Sequence, residues 1–113
     1  MMLPAKRLRV WIFAASKCFA KSLRVKPASG CTRNDLAKHL EAANIQTRNL
    51  FAGNIIRHPC FETMREGIDY RVAGSLANTD TIMNSSLWIG LYPGMGDAKL
   101  DYMVETIRSF CGK

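Results

Sequence analysis

No apolar run in this chain approaches the roughly 18 residues that a membrane span requires. Its four cysteines, at 18, 31, 60 and 111, are separated by 13, 29 and 51 residues, so there is neither a C-x-x-C pair nor a zinc spacing. Histidine occurs only at positions 39 and 58, with no carboxylate spacing to complete a two-histidine metal site. Acidic residues are missing from the first 27 positions altogether. What is present is ordinary globular composition: 48% hydrophobic and 22% charged over 113 residues. That balance excludes a disordered tail, a collagen-like fibre and a low-complexity array. The length suits one modest core, and it is too small for a two-domain enzyme with a cleft between the domains.

The net charge of +7 belongs entirely to one end. Lys6, Arg7, Arg9, Lys17, Lys21, Arg24 and Lys26 supply all of it, while residues 28–113 are neutral overall. Such a segment suits phosphate or anionic-lipid contact. Here the charges alternate with Leu, Val, Trp, Ile and Phe, and no nucleic-acid module surrounds them. Neither nucleic acid nor membrane is an expected partner. The run Val10 to Ala15 is too short for a signal-peptide core, and Lys17 closes it without a small-x-small cleavage site. A cytoplasmic location with reduced thiols is therefore expected.

Residues 1–20 show no caps and no stable period. Leu23 to Lys26 alternates apolar and basic, which predicts a half-exposed strand, and Pro27 to Gly30 a turn. Thr32 and Asp35 form a capping-box pattern before Leu36, Leu40 and Ala43 at helical spacing, with Asn44 as the stop. A strand is expected over 45–50, entering a loop at Ala52-Gly53-Asn54, and Pro59 bars a helix from crossing the next stretch. Tyr70 to Leu76 reads as a short strand or extended loop, Asn78 as the cap of a short helix through Met83, and Leu87 to Leu91 as an apolar strand. Asp97 caps a final helix whose stripe is Leu100, Met103, Val104 and Ile107, extended by Cys111. The pattern gives an α/β (α+β) layer domain, a small mostly antiparallel sheet under helices. Its expected core is Leu36, Leu40, Trp88, Ile89, Val104 and Ile107, with Met83 and Met103 as filler and Tyr92 at the rim. There is no self-contained catalytic constellation.

The unusual strings are Thr47-Arg-Asn-Leu-Phe-Ala-Gly-Asn54, running on through His58-Pro-Cys-Phe61, then Asn78-Thr-Asp80 with Ile82-Met-Asn84, and Trp88-Ile-Gly90 with Tyr92-Pro-Gly94. Together they resemble the C-terminal domain of the CDP-4-keto-6-deoxyglucose 3-dehydrases, within the DegT/DnrJ/EryC/StrS sugar aminotransferases of the aspartate-aminotransferase fold. The resemblance implies a C-terminal fragment of a longer enzyme: a basic extension over 1–22, non-native or disordered, and the small domain over 23–113. It also implies a pyridoxamine or pyridoxal phosphate cofactor, which acts as electron sink while the C3 hydroxyl of a nucleotide-linked 4-keto-6-deoxy sugar is removed. An iron–sulfur cluster, a reductase partner and a homodimer follow from the same likeness. The cofactor, base and cluster residues would lie upstream, leaving no catalytic, cofactor or metal residue here. Two positions depart from the family pattern: Phe19-Ala-Lys-Ser22, where an aromatic entry to the first strand is expected, and Thr81, where arginine is expected.

Five residues are the expected substrate contacts. Arg48 carries a guanidinium suited to phosphate or carboxylate, against the plainer reading of a surface arginine at a strand end. Asn54 follows Gly53 in a tight loop, where it either offers an amide to the sugar or simply forms the turn. Phe51 lines the cleft or packs in the core. Arg57 and His58 face the same cleft, His58 aimed by Pro59, or are solvated. Asn78 and Asp80 read as helix caps. A second class of function stays open, a stand-alone interaction module with residues 6–26 as a basic docking arm. Charge and resemblance change at the same place in the chain, which favours the first.

Overall fold

The computed structural model describes residues 20–25 and 30–111. Among these, strand β1 (Ala20–Arg24), helix α1 (Arg33–Ala42), strand β2 (Thr47–Asn49), helix α2 (Ala77–Ser85), strand β3 (Ser86–Gly90) and helix α3 (Asp97–Cys111) follow in chain order. Two single turns of 3-10 helix, Ile55–Arg57 and Pro59–Phe61, interrupt the long connection from β2 to α2. The three strands form one antiparallel sheet in the order β1-β3-β2. The fold is thus mixed α/β, as the alternation of periods predicts.

Local chemistry sets the boundaries of α1. The Thr32 hydroxyl accepts from the Asp35 N–H at 3.1 Å, and the Asp35 carboxylate accepts from the Thr32 N–H at 2.9 Å, a complete capping box. The Thr32 hydroxyl and N–H also hold the Asp35 carboxyl below the usual carboxylate range. At the other end Asn44 turns left-handed at φ 58°. The Ile45 N–H then reaches the Leu40 carbonyl at 2.9 Å and the Asn44 N–H that of Glu41 at 3.0 Å, a Schellman stop.

The core lies between the helices and one sheet face. Leu87 and Ile89 of β3 meet Leu36 and Leu40 of α1 and Leu100, Met103, Val104 and Ile107 of α3. Burying each such side chain stabilises the fold by roughly 1.5–3 kcal/mol. Trp88, expected in this core, stands half-exposed instead. It sits between Leu87 and Ile89 on the central strand, and the strand's two-residue period turns it to the other face. Several boundaries also differ from those the sequence suggests. β1 begins at Ala20, ahead of the Leu23 start, because its register with Gly90 continues that far. β2 is confined to Thr47–Asn49. The stretch from Tyr70 to Leu76 is extended loop, touched only by an isolated bridge between Glu66 and Tyr70. Asn78 does not cap α2: it lies within the helix, which Leu76 precedes without a side-chain cap. Residues 1–19, which hold most of the basic extension, and Lys26 fall outside the described residues.

Candidate functional site

The loop from Leu50 to His58 is fixed to α2 by steric fit and by charge. Gly53, at φ +63°, passes so close to α2 that a Cβ there would lie 2.4 Å from Cγ of Met83. Only glycine meets both conditions. The next N–H, of Asn54, points at the Met83 sulfur at 3.2 Å. Asn54 itself is 2% exposed, and its amide donates to Asp80 Oδ1 at 2.7 Å. Arg57 closes on the same carboxylate, Nη2 to Oδ2 at 2.9 Å and Nε to Oδ1 at 3.3 Å. Arg57 and then Asn54 hold the Asp80 carboxyl below the usual range, and Asp80 in turn raises Arg57. His58 completes the brace, its Nε2–H donating to the Ala52 carbonyl.

This brace presents Phe51. Its backbone is left-handed at φ 34°, unusual for a bulky residue, and its side chain is 83% exposed. The ring meets Trp88 edge-on, centroids 4.6 Å apart at 82°, which gives the half-exposed tryptophan a partner. Beside it lies a pocket of about 300 Å³ lined by Arg33, Asn49, residues 50–53, Met83 and Asn84. Arg33 is oriented into place by the Met83 carbonyl at 3.0 Å and by Asn34. Arg48 pairs in register with Trp88 and lines a separate polar pocket with Lys38 and Glu41.

The structure therefore divides the five sequence candidates. Phe51 stands at the pocket; Asn54, Arg57 and His58 hold the loop behind it; Arg48 lies at a neighbouring opening. Arg33, Asn49, Asn84 and Asp80 were not singled out as ligands from the sequence. Asn49, Asp80 and Asn84 each belong to one of the strings that carry the family resemblance, the signal that pointed there, whereas Arg33 belongs to none. Thr81 donates its hydroxyl to the Ala77 carbonyl within its own helix at 2.8 Å.

A larger cavity of about 840 Å³ opens between residues 43–46, the end of β3 and α3. It contains none of the five candidates, and three of its polar side chains are engaged. Lys99 Nζ donates to the Tyr92 hydroxyl at 2.9 Å, and the Tyr102 hydroxyl to the Ala43 carbonyl at 3.0 Å. The loop pocket is the one that includes Phe51 and the braced loop, whereas the larger cavity includes none of the candidates.

The site is built for binding. Asp80, its one carboxylate, is held ionised by Arg57 and Asn54 and is poorly suited to proton transfer. The described residues do not by themselves fit a pyridoxal phosphate: Lys38 and Lys99 stand on different helices, and Lys99 is already on Tyr92. Among the described residues no group of three or more His, Cys, Asp or Glu gathers to hold a metal. Cys31, Cys60 and Cys111 are free thiols. No described helix is long and apolar enough to cross a membrane.

Residues 10–108 match the DegT/DnrJ/EryC1/StrS aminotransferase family. Over 94 residues the chain is 47% identical to the lipopolysaccharide biosynthesis protein RfbH of Salmonella typhimurium, a stretch covering 83% of this chain and 21% of that protein. Over 95 residues it is 43% identical to a dTDP-4-dehydro-2,6-dideoxy-D-glucose 3-dehydratase of Saccharopolyspora spinosa, covering 84% of this chain and 20% of that one. The fold superimposes on E. coli GDP-4-keto-6-deoxy-D-mannose-3-dehydratase, solved with bound hydrated PLP, with a TM-score of 0.67 at 19% identity. That superposition covers 91% of this chain and 30% of the solved one. The chain spans about a fifth of the length of the curated relatives it matches.

Proposed function

The chain belongs to the DegT/DnrJ/EryC1/StrS aminotransferase family, and from that premise we propose that it is the C-terminal small domain of a nucleotide-sugar 3-dehydratase. The parent activity is removal of the C3 hydroxyl from a nucleotide-linked 4-keto-6-deoxyhexose in deoxysugar or lipopolysaccharide O-antigen biosynthesis. The observation that carries this reading is the braced loop of residues 50–58. It displays an aromatic ring beside an arginine-lined pocket and offers no acid–base pair, as suits a domain that covers and reads a substrate whose chemistry is done elsewhere.

In this reading Arg33 and Arg48 meet the anionic part of the substrate, and Phe51 supplies an apolar wall. Asn54, Asp80, Arg57 and His58 are positioning residues. The pyridoxamine or pyridoxal phosphate, an iron–sulfur cluster, the contact with a reductase and a homodimer interface belong to the parent enzyme, which works in the cytoplasm. The domain, placed at residues 23–113 from the sequence, binds no cofactor alone and is inactive alone.

Co-expression tests this. A relative truncated before the matched segment is produced with and without this chain, and C3 deoxygenation of the nucleotide-linked 4-keto sugar is measured. The expected result is turnover only with both polypeptides, with KM raised by Arg33→Ala. Stoichiometric pyridoxal phosphate binding by this chain alone, without restored turnover, would overturn the proposal.

A further inference from the structure

Helices α1 and α3 run antiparallel over the sheet, and their cross-links give the register. The Tyr102 hydroxyl donates to the Ala43 carbonyl just past the end of α1, at 3.0 Å. One turn back along α1, His39 Nε2 lies 3.1 Å from the Thr106 carbonyl oxygen and 3.0 Å from Ser109 Oγ. The His39 ring also packs on Phe110, centroids 5.5 Å apart. Continued in the same sense, this register brings the start of α1 to the end of α3. Cys31 is the residue before the capping Thr32, and Cys111 is the last residue of α3.

Cys31 stands at the entry to α1, and Cys111 lies on the apolar stripe of α3. Cys31 precedes the N-cap, the position that staples onto the fourth helical residue, here the buried Leu36. Cys111 follows Ile107 by four and Val104 by seven, continuing the buried stripe of α3. Burial, and then the proximity of Cys31, push the Cys111 thiol up. Cys31 is partly exposed and Cys111 exposed, so a small oxidant reaches them.

We propose that Cys31 and Cys111 form a reversible disulfide that staples the start of α1 to the end of α3. With glutathione disulfide as the oxidant, one protein thiolate attacks its S–S bond and releases one glutathione thiolate. The second protein thiolate then attacks the protein sulfur of the mixed disulfide and releases the other. Two electrons pass from the protein thiols to glutathione disulfide, and the two thiol protons end on the two glutathione thiols. The bond closes a long loop and restrains the unfolded chain.

The test takes the full reduced chain into glutathione disulfide, with intact mass and unreduced peptide mapping as readouts. Loss of two hydrogens, a peptide joining Cys31 to Cys111, and a melting midpoint raised by more than about 10 °C and restored by dithiothreitol are expected. Cys60→Ser should behave as the parent, while Cys31→Ser and Cys111→Ser should each lose the link. A parallel reaction in concentrated urea controls for folding, and there the Cys31–Cys111 share should fall toward that of the other pairings. Separate glutathione adducts on Cys31 and Cys111 that never resolve, or an equal share with and without urea, would overturn the proposal.

Discussion

Replacing Gly53 by alanine probes the joint on which the candidate site depends. Two costs arise at one position. A side chain at φ +63° is held in the left-handed region, worth about 1–2 kcal/mol. The new Cβ would also stand 2.4 Å from Met83 Cγ, 2.9 Å from its sulfur and 3.1 Å from its Cβ. The end of the methionine can swing aside, but its Cβ is fixed to α2, and the sulfur would leave the Asn54 N–H it accepts from. Overpacking of this kind costs about 1–3 kcal/mol, so Gly53→Ala should destabilise by about 2–5 kcal/mol in total. Urea unfolding followed by circular dichroism measures the loss. Met83→Ala in the same background removes the Cγ and sulfur clash but neither the 3.1 Å approach to Cβ nor the backbone strain, so the double-mutant cycle should show coupling of about 1–3 kcal/mol. A Gly53→Ala chain within about 0.5 kcal/mol of the parent, or an additive cycle, would refute the argument that loop and helix are locked here.

Three further outcomes follow from contacts described above. Thr32→Ala removes the hydroxyl half of the capping box and should lower stability by about 1 kcal/mol, read as a lower urea midpoint at unchanged slope. Leu40→Ala, at a fully buried position between α1 and the sheet, should cost about 2–5 kcal/mol in the same assay. Asp80 and Asp35 titrate below the usual carboxylate range when folded, so their contribution is complete above the unfolded-state carboxylate pKa. It is lost as pH falls through their folded values. The urea midpoint should therefore drop on acidification, and Asp80→Asn should flatten part of that drop; an unchanged slope against pH would count against the Arg57–Asp80 brace.

Local rules were legible in the sequence wherever the deciding partners lie within one turn. Thr32 and Asp35 announce the start of α1 and Asn44 its end, since cap and stop are built from neighbours three to five residues apart. The stripe of α3 was equally plain. Trp88 was misplaced because hydrophobicity alone cannot say which face of a central strand is covered, whereas the alternation with Leu87 and Ile89 can. Asp80 read as a cap because its true partners, Asn54 and Arg57, are 26 and 23 residues away. Arg33 was hidden similarly, its tie to the Met83 carbonyl spanning 50 residues. The loop at 50–58 was singled out by its resemblance to a family. Its brace, its left-handed Phe51 and the pocket beside it appear only once α2 is folded against it.

The most direct measurement is a graft. Residues 20–111 of this chain replace the matched segment of a full-length nucleotide-sugar 3-dehydratase, and loss of the C3 hydroxyl from its substrate is followed by mass spectrometry. The account predicts a folded, cofactor-loaded graft that deoxygenates the sugar, with Arg33→Ala raising KM more than it lowers kcat. A graft that folds and holds its cofactor yet leaves the C3 hydroxyl in place would contradict the assignment of this domain.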